Sequence, residues 1–217
     1  MTSIRGAVPT DLFRMSLCNL DPLVENYDME FYFDYLIRWP EMFLVAEDTQ
    51  GRIVGYSKFP LPFFQPLSPP HFQTNQLTLA LKVMGKVEED PDYMSFLPNY
   101  LPWHGHVTAL TVAPCARRQG LAKTLTAALE RACDERGAWF MDLFVREGNA
   151  AVDMYRGMGY SVYRRVVDYY SDDPTGRKKG GEDAFDMRKP LSRDVARKYV
   201  RENGEEFRVS PEELYGG

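Results

Sequence analysis

Cysteine is scarce: Cys18, Cys115 and Cys133 are the only three among 217 residues. They are too few and too scattered for a disulfide framework or a zinc site. Reduced, small and mostly buried side chains are expected, as in a cytosolic protein. Long apolar runs are missing as well. No stretch approaches the ~18 consecutive apolar residues of a membrane span. The first residues carry no signal-like segment, and Met1 leads directly into a strand-like run. A soluble, intracellular, cytoplasmic protein is the expectation. A basic excess is lacking too: 26 Lys and Arg stand against 31 Asp and Glu, for a net charge of −5. That balance offers no electrostatic case for a nucleic-acid partner. The one basic run, Arg177-Lys178-Lys179, lies among Gly and Asp and reads as a solvated loop.

What is present is ordinary globular material, 44% hydrophobic and 26% charged, enough to bury a core. The length suits one domain with room for an extra segment. Residues 4–8 read as a strand, and Pro9-Thr10-Asp11 follows, with Thr10 or Asp11 available to cap a helix to about Cys18. Phe31, Tyr35, Leu36 and Trp39 recur at helical spacing, so 29–39 reads as an amphipathic helix stopped by Pro40. Runs 43–47 and 52–57, separated by Asp48-Thr49-Gln50-Gly51, read as an antiparallel hairpin. A strand over 106–112 precedes a helix over 117–136 whose apolar face is Leu121, Leu125, Leu129 and Ala132. The nearly all-apolar run 139–145 suggests a central strand covered on both faces. A short helix over 150–158 and strands over 160–170 and 183–188 complete the plan. The order β-α-α-β-β-β-α-β-α-β-β predicts an α/β protein with helices on a mixed sheet.

Two segments fall outside that plan. Residues 58–102 are punctuated by Pro60, Pro62, Pro66, Pro69-Pro70, Pro91, Pro98 and Pro102, the mark of an insertion between strands, with only 76–84 regular. A lid and a surface excursion are both open readings. The charged segment 191–217 is expected to be part helix, over 193–201, and part loose tail. The remainder, 1–190, is taken as the domain.

The strongest chemical signal is Val112-Ala113-Pro114 followed by Arg117-Arg118-Gln119-Gly120-Leu121-Ala122 at a strand-to-helix junction. Small residues at Gly120 and Ala122 let backbone approach a ligand closely, and the first free N–H groups of a helix point at it. Arg117 and Arg118 add charge for phosphates. The junction reads as a pyrophosphate cradle. Asn149, Tyr155 and Gly159-Tyr160 follow in order. This succession resembles the GNAT acetyltransferase family, with its R/Q-x-x-G-x-G/A turn and a later N-(x)n-Y-x-x-x-G-F/Y element. The resemblance implies acetyl-CoA as cosubstrate, held by the backbone at Leu110, Thr111 and Val112, by the Arg117 to Ala122 turn including Gln119 and Leu121, and by Asn149. It implies no metal.

A narrower resemblance runs to about Arg193. Asn19-Leu20-Asp21-Pro22-Leu23 with Glu25 and Tyr27, Trp39-Pro40-Glu41, Trp103-His104-Gly105-His106-Val107-Thr108-Ala109-Leu110, Asp142-Leu143-Phe144-Val145-Arg146, Asp168-Tyr169-Tyr170 and Asp186-Met187-Arg188-Lys189 are similar to the catalytic subunits of N-terminal acetyltransferase B, NatB. It implies transfer to the α-amine of nascent chains beginning Met-Asp, Met-Glu, Met-Asn or Met-Gln. It also implies an auxiliary helical-repeat (TPR-type) subunit, through which the ribosome is met. A free α-amine has a pKa near ~8, so a modest base or ordered water suffices. Tyr155 is the candidate for protonating the departing thiolate, and N–H groups around Leu110 to Val112 for the oxyanion. His106 and Thr108 alternate with Val107 and so share a strand face, where they could hydrogen-bond the second substrate residue. The family pattern sets Glu25 and Tyr27 beside the peptide, with Tyr169 and Tyr170 opposite. On the residues alone, Tyr155 reads as a packed helix residue, His106 as a satisfied half-buried histidine, and the tyrosine pair as strand aromatics.

The chain departs from the pattern twice. Asn149 and Tyr155 stand one residue closer than usual; either the preceding loop absorbs the deletion, or Gly148 takes the Asn position. The strand pattern Gly-Tyr-x-Met-Gly-Lys is broken between Tyr56 and Val83-Met84-Gly85-Lys86, and 57–82 has the coding capacity of a translated intron. Competing readings are a GNAT enzyme acting on lysine or small amines, and a non-catalytic acetyl-CoA-binding subunit.

Overall fold

The computed structural model describes residues 3–15, 28–38, 43–47, 53–57, 81–89, 100–112, 117–170 and 181–214, with backbone alone at 38, 53–57 and 81–88. The chain divides into two compact units, one of residues 1–86 and 108–129, the other of 87–107 and 130–217.

The first unit carries β1 (Ser3–Gly6), α1 (Met29–Arg38), β2 (Leu44–Glu47), β3 (Ile53–Ser57) and most of β4 (Leu81–Glu88). It also carries the C-terminal part of β5 (His104–Val112) and the start of α2 (Leu121–Glu135). β2 pairs antiparallel with β1, Ser3 facing Glu47, and with β3, Val45 facing Tyr56, so the hairpin is as the Asp48 to Gly51 turn requires. β4 lies between β3 and β5, running parallel to β3 at Gly55 and Leu81. Parallel neighbours need a long crossover between them. The core gathers Leu12, Met15, Tyr32, Tyr35, Leu36, Phe43 and Val45, with Ala109 of β5 packed against it. The helical spacing of α1 thus buries one stripe and leaves Ile37 exposed.

The second unit arranges its strands in the order β5-β6-β8-β7-β9, where β6 is Phe140–Arg146, β7 is Ser161–Tyr170, β8 is Glu182–Pro190 and β9 is Arg208–Val209. A short helix, α3 (Ala151–Arg156), joins β6 to β7. β5 runs parallel to β6 with His106 facing Asp142, and β6 antiparallel to β8 with Asp142 facing Arg188. Every residue from Phe140 to Leu143 is buried, as a central strand covered on both faces demands. Gly105 is required by packing. A Cβ there would collide with Cys133 Sγ and Met141 Sδ.

Several expectations are corrected. The segment after Pro9 is a 3-10 turn, Pro9–Arg14. Asp11 does not cap it from the front; its carboxylate reaches back to the Val8 N–H at 2.9 Å and is gripped by the Arg5 guanidinium. Arg5 bridges on to Glu47 at 2.6 Å, locking β1 to β2. The segment 193–201 is a succession of turns and contains no helix. The buried Asp194 carboxylate accepts the Lys198 and Tyr199 N–H groups at 2.8 and 3.1 Å, taking the donors a helix would use, and Arg197 is left-handed at φ 52°. The tail is also not loose up to Leu214. β9 adds in parallel to β7, and Val209 and Leu214 bury against Val166 and Ala184, with Tyr169 and Tyr170 at the margin. β4 and β9 are strands beyond the seven expected. Glu25, Tyr27, Cys18, Cys115, Arg177 to Lys179 and most of the 58–102 insertion lie outside the described residues.

Candidate active site

The cradle begins where β5 ends. Arg117, Arg118, Gln119 and Gly120 are all exposed, and Leu121 opens α2. Arg118 has φ 68° and Gly120 φ 77°, two left-handed residues close together that bend the backbone sharply into α2. Its chain neighbours apart, no atom of the described residues lies within 4 Å of where a Cβ on Gly120 would stand, so the turn has room for a ligand. Arg117 donates its Nε to the Val112 carbonyl at 3.1 Å, tying the cradle to the strand. Leu110, Thr111 and Val112 continue β5, with Thr111 buried and its neighbours half-buried. These residues fit a pyrophosphate. They combine exposed cationic side chains, a positive-φ turn and a helix N-terminus, whose first N–H groups have no acceptor within the helix. Thr108, in the same unit, shares a 3.4 Å hydrogen bond with the Tyr35 hydroxyl. Tyr35 read in the sequence only as part of an apolar helix face.

In the second unit His106 is half-buried, and its Nδ1 lies 2.8 Å from Asp142 Oδ1. Asp142 is itself 3% exposed. Burial would raise its carboxyl, but the facing His104 and His106, the His106 hydrogen bond and Arg188 together hold it below the usual carboxylate range. The His106 ring is tilted against Phe144 at 5.8 Å, Phe144 stacks on Tyr169 at 4.9 Å, and Tyr169 meets Tyr170 edge-on at 5.0 Å. Arg146 lies 3.9 Å above the Tyr170 ring and is held by Glu182 at 2.8 Å. The structure therefore brings His106, Tyr169 and Tyr170 into one polar-aromatic row. Phe144, Arg146 and Asp142 complete it, and their alternation along β6 was the available signal for a shared face.

Beside this row, where Arg188 faces Asp142 and Asp186 faces Phe144, a buried ion network joins β7 to β8. Asp186 accepts from Arg164 Nε at 2.8 Å and from Arg188 Nε and Nη2 at 3.2 and 3.0 Å. All three are buried. Tyr155 sits on α3, 5% exposed and edge-on to Tyr160 at 5.6 Å. Burial, and secondarily the Tyr170 phenol, push the Tyr155 hydroxyl above its ordinary range, so it keeps its proton at working pH. Asn149 Oδ1 accepts the Ala151 N–H at 2.9 Å, folding the entry to α3. The helix begins two residues after Asn149, at Ala151. Among the described residues no His, Cys, Asp and Glu cluster could hold a metal ion. No helix there is long and apolar enough to cross a membrane.

Comparison with known proteins places this geometry. Residues 10–160 match the model of the acetyltransferase (GNAT) family. The chain is 45% identical over 215 residues to the N-terminal acetyltransferase B complex catalytic subunit naa20 of Schizosaccharomyces pombe, covering 99% of each. It resembles Chaetomium thermophilum Naa20 in complex with a bisubstrate analogue, with a TM-score of 0.83, 44% identity, and 99% and 100% of the two chains covered. It also resembles a chain of the NatB acetyltransferase complex bound to a bisubstrate inhibitor, with a TM-score of 0.69, 34% identity and 98% of each chain covered. The chain belongs to the GNAT acetyltransferases and, within them, to the family of NatB catalytic subunits. It is an acetyl-CoA-dependent N-terminal acetyltransferase.

Proposed function

We propose that the enzyme acetylates protein N-termini beginning Met-Asp, Met-Glu, Met-Asn or Met-Gln, in the cytoplasm and as they leave the ribosome. The observation that carries this reading is the row of His106, Phe144, Tyr169 and Tyr170, half-buried and polar at its edge. Such a surface suits a peptide backbone and a hydrogen-bonding second side chain. His106 and Thr108 read that side chain; Tyr169 and Tyr170, with Glu25 and Tyr27, grip the backbone. Acetyl-CoA supplies a thioester whose acyl carbon accepts the amine. Arg117, Arg118, Gln119, Gly120, Leu121 and Ala122 hold its pyrophosphate, Leu110, Thr111 and Val112 line its arm, and their N–H groups stabilise the oxyanion. The C–N bond forms as the C–S bond breaks. Tyr155, which keeps its proton because it is buried, passes it to the departing sulfur and is recharged from the amine through water. Asn149 is kept among the cofactor contacts, its Oδ1 also folding the entry to α3.

An auxiliary subunit of helical-repeat type, which brings the enzyme to the ribosome, docks on the N-terminal elements. Phe13 and Ile37, 73% and 77% exposed on the 3-10 turn and α1, support that surface, and Val8 and Met29 are exposed as well. The test is acetyl transfer to peptides starting Met-Asp and Ser, with the auxiliary subunit present and absent. Transfer to the Met-Asp peptide alone is expected. Equal turnover of both, or turnover of a peptide with a blocked N-terminus and a free lysine, overturns the reading.

A further inference from the structure

Asp142 takes part in no step described so far, yet it is the only protein group within hydrogen-bonding distance of His106 that the described residues show. Its position follows from the register, since His106 on β5 faces Asp142 on β6, which faces Arg188 on β8. Arg188 gives its Nε and Nη2 to Asp186 and lies over the Tyr163 ring at 3.6 Å. His104 Nδ1 stands 2.8 Å from the Pro102 carbonyl, an acceptor only, so that nitrogen carries a proton; its Nε2 is 3.8 Å from Asp142 Oδ2. Asp142 Oδ1 is thereby aimed at His106 Nδ1. An ionised carboxylate only accepts, so His106 Nδ1 must be the donor of that bond.

We propose that Asp142 is the positioning residue of substrate selection: it keeps the proton of His106 on Nδ1 and presents Nε2 to the second residue of the substrate. This rests on the reading of His106 as the group that meets that residue. With Nδ1 so held, a neutral ring offers Nε2 as acceptor to the amide N–H of Asn or Gln. When the second residue is Asp or Glu its carboxylate only accepts, so Nε2 must then be the donor and the ring stands between two carboxylates. One side chain then accepts both amides and acids, and the buried charge of Asp142 supports the acidic class in particular.

The experiment uses the full chain with acetyl-CoA, its histidines labelled with 15N. There are three, so the signal lost in His106→Ala identifies His106. In the wild-type protein the neutral ring is expected to be protonated at Nδ1. In Asp142→Asn the proton moves to Nε2, the form imidazole prefers when free. In the same variant, with the auxiliary subunit present, kcat/KM for a Met-Asp peptide relative to a Met-Asn peptide falls about 10-fold, the difference between charge-assisted and neutral hydrogen bonds. The amide of the Met-Asn peptide can turn its oxygen to the Nε2 proton, so the acidic substrate loses more than the amide one. A neutral wild-type ring protonated at Nε2 overturns the proposal even if Asp142→Asn does not fold. So does an Asp142→Asn protein whose tautomer and peptide ratio match the wild type. If His106→Ala leaves the second-residue preference unchanged, the reading of His106 fails instead.

Discussion

Tyr155→Phe removes one oxygen from a buried site and leaves the ring, its edge-on contact with Tyr160 and the α3 packing in place. The effect should fall on the chemical step. General acid catalysis contributes about 10²- to 10⁴-fold. A thiol with an ordinary pKa near ~8.5 leaves tolerably well as an anion, which sets the expectation at the low end. kcat should drop about 100-fold, roughly 2.7 kcal/mol on the barrier, with KM for both substrates within about threefold. The assay is release of free thiol from acetyl-CoA with a Met-Asp peptide, in the presence of the auxiliary subunit. The upward push on Tyr155 also fixes a sign. The folded protein retains this proton above pH ~10 where the unfolded chain loses it, so the stability contribution is full below that pH and is lost as pH rises above it. The slope is about 1.4 kcal/mol per pH unit. Tyr155→Phe should remove that share of alkaline destabilisation and show no alkaline limb that the wild type lacks. A kcat within threefold of wild type, or a raised KM with kcat unchanged, would refute the assignment of the acid.

Asp186→Ala strands two buried guanidinium groups, Arg164 and Arg188, that share its carboxylate. It should cost about 3–5 kcal/mol, read as a fall in Tm of roughly 6–20 °C; a loss under about 1 kcal/mol contradicts the network's role. Gly204→Ala drives a Cβ into the Val162 carbonyl. Amide exchange at Arg165, whose N–H bonds the Phe207 carbonyl at 2.8 Å, should then quicken at least about 10-fold; unchanged exchange means the tail docks without this close approach. Deleting 57–82 joins Tyr56 to Val83 in one run, Gly55-Tyr56-Val83-Met84-Gly85-Lys86, so that β3 and β4, now parallel neighbours, would become a single strand. The shortened chain should fold and retain transfer within severalfold, and mature transcripts should lack those codons; an insoluble chain, or transcripts that keep them, counts against the intron.

Local chemistry made much of this protein legible. The hairpin was written in Asp48 to Gly51 between two β-rich runs, and α2 in Leu125 and Leu129 at helical spacing, both now buried. The cradle was legible because Gly120 needs positive φ and Arg117 and Arg118 precede a helix, all within a few residues. The 193–201 segment was misread because its charge pattern suits a helix. The deciding interaction, Asp194 folding back on Lys198 and Tyr199, depends on that carboxylate being buried. β9 was invisible for a related reason. Two residues, Arg208 and Val209, form a strand only because β7 offers an open edge.

By itself the amino-acid order determined the family and the reaction class, and named the candidates for the reactive groups. Those depend on which side chains and turns occur in succession, and succession is written in the chain. Tertiary structure alone decided which of those groups are partners. That Asp142 faces His106 depends on the register of two parallel strands, and that Tyr35 meets Thr108 depends on the packing of a helix on a strand. That Tyr155 keeps its proton depends on how completely the fold withdraws it from water. Such distances arise between residues far apart in sequence, and burial is a property of the whole packed unit, so neither is carried by any local run.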